Sequence, residues 1–168
     1  LVRNGPDDVT EQALWALGNV CADGPEARDL ILQEGYMDVL EYVFYGFSRL
    51  PSLSAMRHAA WTICNFSRWQ PAVPQNVFER CLYILSDLIH SPDEELLNDT
   101  CTALSQFVLE GGEDAVRQIF EAGFCKRVFE LSMHVSEVLR SHAVRQITPP
   151  YQDCISGMLM EHTLAASL

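Results

Sequence analysis

Two Trp-x-x-x-Asn pairs, Trp15/Asn19 and Trp61/Asn65, stand 46 residues apart in matching surroundings. Residues 12–20 read QALWALGNV and residues 58–66 read HAAWTICNF. A third segment, with Thr102 and Gln106 at the two marked positions, follows 41 residues later, and a weaker fourth around Arg145 comes 43 after that. A unit of this length cannot bury its apolar face alone, so its copies must stack side by side. The repeat therefore restricts the fold to a stacked array before any single element is assigned.

Helix punctuation fills in the unit. Asp8 and Glu11 read as a capping box opening a helix to about residue 21, and Asp23-Gly24-Pro25-Glu26 stops it and starts the next. That second helix is short, over 25–33, with Gly35 at its end. A third covers 37–48, and after Pro51 a longer one covers 55–68. Residues 70–75, with Pro71 and Pro74, form a loop where a regular array places its first short helix. The pattern resumes over 77–89. Ser91 at N-cap, Pro92 at N1 and Glu94 at N3 then open a helix to about residue 108. Segments 113–121 (closed by Gly123), 125–133 and 137–148 continue the rhythm, and no strand-like alternation of useful length appears.

The chain is thus all-α, with two or three helices per period of about 40 to 47 residues, the mark of an armadillo or HEAT array. The expected architecture is a solenoid of such stacked repeats over residues 1–148. Pro149 and Pro150 break the repeat, leaving 149–168 as a divergent tail that is either one capping helix or a disordered end.

Charge narrows the partners. The 168 residues carry a formal net charge of −12, from 23 acidic against 11 basic side chains, and Lys126 is the only lysine. Such a surface repels phosphate backbones and anionic lipid, which argues against nucleic acid and membrane as partners and for basic ones. No apolar run approaches the roughly eighteen residues of a membrane span, and no signal peptide opens the sequence. A start at Leu1 without a Met reads as a fragment or a processed chain. Cys64, Cys81 and Cys101 fall in apolar helical runs, so reduced buried thiols in a cytoplasmic or nuclear protein are expected. The Asn65 and Asn98 sequons lie inside helical patterns and read as chance matches. Phosphate-binding glycine loops, HExxH and GxSxG are all missing, and His and Cys show no ligand or nucleophile–base spacing. The chain reads as a binding protein, not an enzyme, with no cofactor or metal.

The Trp–Asn pairs say what is bound. Residues i and i+4 share a helix face, so each Trp lies beside its Asn, and stacking sets the pairs in parallel along one side. Helices about 8–10 Å apart match about three residues of extended peptide at ~3.3 Å each. The Asn carboxamide has donors and an acceptor for a peptide unit. Indoles flank slots for long aliphatic stems, with cation–π attraction of roughly 0.5–2 kcal/mol per lysine. A lone helical Trp usually belongs to the core, but Leu14, Leu17, Ala60 and Ile63 already fill the core positions here. Trp69 is out of register and reads as loop packing, and His58 as a groove-edge residue.

These residues carry a resemblance. Residues 11–20, followed by Asp23-Gly24, resemble the third armadillo repeat of the importin-α family of nuclear-import adaptors. Residues 60–68 with the Pro-rich loop after them resemble the fourth repeat, and 88–95 leading into Asp99-Thr100-Cys101 the fifth. The match covers roughly 7–147 and would make the chain a right-handed superhelical armadillo-repeat solenoid of a partial third, fourth, fifth and partial sixth repeat.

The resemblance implies capture of lysine/arginine-rich nuclear localisation signals in extended form, and residence in cytoplasm and nucleus. Trp15, Asn19, Trp61 and Asn65 fall on the groove ladder, and Asp23 on the acid that pairs with the signal's key lysine. Gln12 falls on a groove Gln, Glu95 and Asp99 on acids near the far end, and Arg68 on the basic residue separating major from minor groove. Asp23 also suits a helix cap, and Glu95 with Asp99 a solvated face. Three positions depart: Thr102 stands where the family has Trp, Gln106 where it has Tyr, and His58 where it has Asn. The alternative is accordingly an armadillo scaffold that has lost signal binding. Importin-β would be met only through a basic autoinhibitory segment that this sequence lacks. Incomplete repeat ends predict self-association, or swapping of the first helix, at high concentration.

Overall fold

The computed structural model describes residues 7–46 and 51–132. Among these residues seven helices follow one another: α1 Asp7–Cys21, α2 Pro25–Gln33, α3 Tyr36–Tyr45, α4 Leu53–Ser67, α5 Gln75–Leu88, α6 Glu94–Glu121 and α7 Phe124–Ser132. No strand occurs among the described residues. Residues 47–48 at the expected end of the third helix, the helix expected over 137–148 and the tail 149–168 lie outside them.

Side-chain contacts fix how the helices run. Ser52, just before α4, donates to Glu11 near the start of α1, while Asn65 and Trp69 reach the Gly18 and Cys21 carbonyls near its end. Start meets start and end meets end, so α1 and α4 are parallel. Arg57 with Glu95, and Ser67 with Gln106, establish the same for α4 and α6. In a second layer, Arg80 of α5 pairs with Glu41 of α3 at 2.7 Å, and the Tyr45 hydroxyl donates to Asp87 at 3.0 Å. The molecule is an all-α solenoid: α1, α4 and the first part of α6 stack as one layer, α3 and α5 as the other, with α4 packed chiefly on α1 and α6. Leu14, Leu40, Ala60, Ile63, Ile84, Leu85 and Leu104 are fully buried between them. Each such leucine or isoleucine contributes about 1.5–3 kcal/mol.

Helix ends show why local pattern and final boundary differ. Ser52 caps α4, accepting the Ala55 N–H at 3.1 Å. At α6 the sequence pattern puts the cap at Ser91, but the structure gives it to Asp93, which accepts the Leu96 N–H at 2.9 Å. Ser91 instead accepts the Asp93 N–H at 3.1 Å. The reason is tertiary: Arg57 forks onto both Asp93 oxygens at 3.0 and 2.6 Å and holds that carboxylate at the helix start. α6 then runs to Glu121 with a break at Gly112, whose φ of 58° and ψ of −143° suit a residue without Cβ. The break falls between the two helices that the sequence pattern separates.

Two arginines close helix ends across repeats. Arg28 of α2 is 1% exposed, and its guanidinium donates to the Phe66 and Trp69 carbonyls at 3.3 and 2.8 Å. Arg127 of α7 donates to the Ile89 carbonyl at 3.1 Å. Both satisfy carbonyls that a helix C-terminus leaves without intrahelical partners and add charge of the favourable sign. Trp69 packs in the loop after α4, as its register implied, with its indole N–H donating to the Cys21 carbonyl at 3.1 Å. Cys21, Cys64, Cys81 and Cys101 are free and buried. Burial pushes the Cys64 thiol up to about 11 and those of Cys21 and Cys101 up to about 12, leaving them poor nucleophiles.

Candidate functional site

Steps of three and four residues place Ser54, Arg57, His58, Trp61 and Asn65 on one face of α4. Parallel stacking sets that face between Trp15 and Asn19 of α1 and Glu95 and Asp99 of α6. An open groove results, lined by Trp15, Asn19, Leu53, Ser54, Arg57, His58, Trp61, Glu95 and Asp99. Trp15 is 49% exposed, a large aromatic surface left uncovered although the core beside it is full. Trp61 is half-buried because it lies against α1 at Gly18. A Cβ on Gly18 would meet the Trp61 ring at 2.8 Å and the Thr62 hydroxyl at 2.6 Å, so glycine is what allows the approach.

Six residues singled out from sequence thus share the groove: Trp15, Asn19, His58, Trp61, Glu95 and Asp99. Gln12 and Asp23 are exposed outside its lining, and so is Arg68 at the C-cap of α4. Asp23 does not cap α2, whose N-cap is Gly24 without a side-chain bond.

Asn65 differs from the expectation of an open ladder. It is completely buried; its amide donates to the Gly18 carbonyl at 3.3 Å, and its Oδ1 has no partner among the described residues. The close approach at Gly18 that seats Trp61 also brings the α1 backbone within reach of this amide. Interhelical distance of that kind leaves no trace in a repeat pattern.

Arg57 and Ser54 were not singled out from sequence, although their spacing from Trp61 on the helix was the available signal. Arg57 changes the electrostatics. Besides its fork onto Asp93 it meets Glu95 at 2.7 Å, so that carboxylate is already paired. The Arg57 bond, first, and the Leu96 N–H hold Asp93 below the usual carboxylate range. Asp99 forms no ion pair among the described residues. Burial, and then the charge of Glu95, push its carboxyl up to about 6, opposed by a hydrogen bond from Asn98 and by the charge of Arg68. The groove therefore offers an aromatic slot, one acid outside any ion pair among the described residues and a neighbouring amide, which suits a cationic side chain on a polar chain. Among the described residues no three His, Cys, Asp or Glu side chains gather as a metal site, and no helix is long and apolar enough to cross a membrane.

Fold and groove together define an armadillo-repeat protein. The chain superposes on a computationally designed armadillo repeat protein for modular peptide recognition, with a TM-score of 0.74 over 94% of this chain and 67% of that one, at 17% identity. A second designed armadillo repeat protein, in complex with the peptide (KR)4, gives 0.71 over 88% and 59%, also at 17% identity. Likeness at that identity is one of fold. No family model matches the chain. Sequence carries the rest: importin subunit alpha-2 of Arabidopsis thaliana is 42% identical over 136 residues, 81% of this chain and 25% of that protein. Importin subunit alpha-1b of Oryza sativa subsp. japonica is 39% identical over 147 residues, 88% and 27% of the two chains. The chain belongs to the importin-α family, and spans about a quarter of the length of these relatives.

Proposed function

We propose that this chain is the signal-binding part of a nuclear-import adaptor, moving between cytoplasm and nucleus. It captures lysine/arginine-rich nuclear localisation signals in extended form along the α1–α4–α6 face. One observation carries this reading: an exposed Trp15 and a half-buried Trp61 flank an open slot that also holds Asn19 and Asp99. The indoles would sandwich an aliphatic stem, Asp99 would meet its charge, and the Asn19 carboxamide would bond the peptide backbone. Asp23, exposed just beyond the end of α1, and Gln12 on α1 lie outside the slot, where Asp23 adds negative charge that draws the basic segment in. Arg68 marks the boundary at the far end of α4. The net charge of −12 adds long-range attraction for basic cargo.

A scaffold that no longer holds such peptides is favoured by a specific observation of its own, the burial of Asn65 against the Gly18 carbonyl. Fluorescence anisotropy of a labelled lysine-rich signal peptide separates the two. Binding should weaken with salt, and Trp61→Ala should cost about 1–3 kcal/mol, or roughly five- to more than a hundredfold in Kd. No binding, or binding indifferent to Trp61, would leave the scaffold reading.

A further inference from the structure

The ladder has a third rung, and the structure shows what its atoms are doing. Buried residues set the register independently of the motif. Leu14, Ala60 and Cys101 are buried at one position of the three stacked helices, and Cys21, Ser67 and Val108 at another, seven residues on. Trp15, Trp61 and Thr102 are therefore equivalent, as are Asn19, Asn65 and Gln106.

Their availability falls along the stack. Trp15 and Asn19 are both exposed. At the second rung Trp61 is partly open, but Asn65 is tied to α1. At the third, the Thr102 hydroxyl donates to its own helix at the Asn98 carbonyl, 2.8 Å away. The Gln106 Oε1 accepts from Ser67 at 2.7 Å and from the Cys64 thiol at 3.8 Å. On the same helix Glu95 is held by Arg57. A long cationic side chain facing this rung finds no aromatic wall for its stem, and the Gln106 carbonyl oxygen and the Glu95 carboxylate are both already engaged.

Resting on the peptide-binding reading above, we propose that the groove grips one long cationic side chain. It lies between Trp15 and Trp61 with Asp99 as its anion, and the adjoining peptide position, facing Thr102 and Gln106, is selected as small and polar rather than basic. The ligand class is then a short segment with one gripped lysine or arginine beside serine, threonine, asparagine or glycine, and not an uninterrupted run of lysines. Thr102 and Gln106 are its specificity-determining residues, and Arg57 acts on specificity through Glu95.

The test is a positional scan by anisotropy with the full chain. A labelled peptide of consecutive lysines is compared with versions carrying alanine or serine at each position in turn. One position should be sensitive, losing tenfold or more on replacement, and the position beside it on the α6 side should change by less than about twofold. Thr102→Trp, checked for native helicity, should make that second position prefer lysine by about two- to thirtyfold, the range of a gained cation–π contact. Two adjacent lysines of equal importance in the unaltered chain would overturn the single-slot proposal while sustaining peptide binding. Failure of every basic peptide to bind would overturn the peptide-binding reading, and this inference with it. The wild-type scan decides even if Thr102→Trp does not fold.

Discussion

Removing the buried guanidinium of Arg28 is the sharpest test of how this array is held together. The side chain is 1% exposed, and it closes the C-terminal end of α4 by bonds of 3.3 Å to the Phe66 carbonyl and 2.8 Å to the Trp69 carbonyl. Its third contact, Nε to Asp29 at 2.8 Å, involves a carboxylate that is 42% exposed and can return to water. Two effects oppose each other. A buried charge costs desolvation, and an apolar replacement would be favoured if its partners disappeared too. They do not disappear, because both acceptors are main-chain carbonyls. The Phe66 carbonyl is deeply buried and would lose its partner at about 1–3 kcal/mol, whereas the Trp69 carbonyl is partly buried and can rehydrate.

Arg28→Met keeps the stem and should cost about 1–3 kcal/mol. Arg28→Ala, which also leaves a void, should cost about 2–4 kcal/mol. Arg28→Lys keeps the charge without the fork and should fall below both. Urea unfolding followed by circular dichroism gives the three values, and Trp69 emission reports the loop directly, since its indole N–H bonds the Cys21 carbonyl. A methionine variant as stable as the parent, within ~0.5 kcal/mol, would refute the reasoning by showing that desolvation outweighs the carbonyl bonds.

Acidity gives a second check on the slot. The Asp99 carboxyl is pushed up to about 6 in the free protein, and a bound ammonium group would draw it back toward the ordinary value near 4. Binding then favours the ionised form, so affinity is full above pH 6 and falls as pH drops through it, by about tenfold between pH 7 and pH 5. Asp99→Asn should flatten that slope in a binding titration; an unchanged slope would assign the proton elsewhere. At Gly18 the clash of a Cβ with Thr62 and Trp61 sets overpacking of about 1–3 kcal/mol against a helix-propensity gain of at most ~1 kcal/mol. Gly18→Ala should therefore be net destabilising in urea and shift tryptophan emission, and a stabilised variant would contradict the close packing of α1 on α4.

The repeat period, the helices up to residue 132 and the Trp–Asn register were legible because each depends on spacing along one chain. A 46-residue echo implies stacked copies, and i,i+4 spacing implies a shared face. The break near Gly112 and the loop position of Trp69 followed from the same local rules. Arg57, Arg28, the cap at Asp93 and the burial of Asn65 did not. Each is settled by a partner 36 to 47 residues away, through contacts no local pattern encodes. By itself the sequence determined that this is an armadillo solenoid with an aromatic and amide face on an acidic chain. Which acid on that face is paired, which amide is covered and which rung stays open were decided by the tertiary structure. Those outcomes turn on interhelical distances of a few ångströms, set by side-chain volume at contacts such as Gly18 against Trp61.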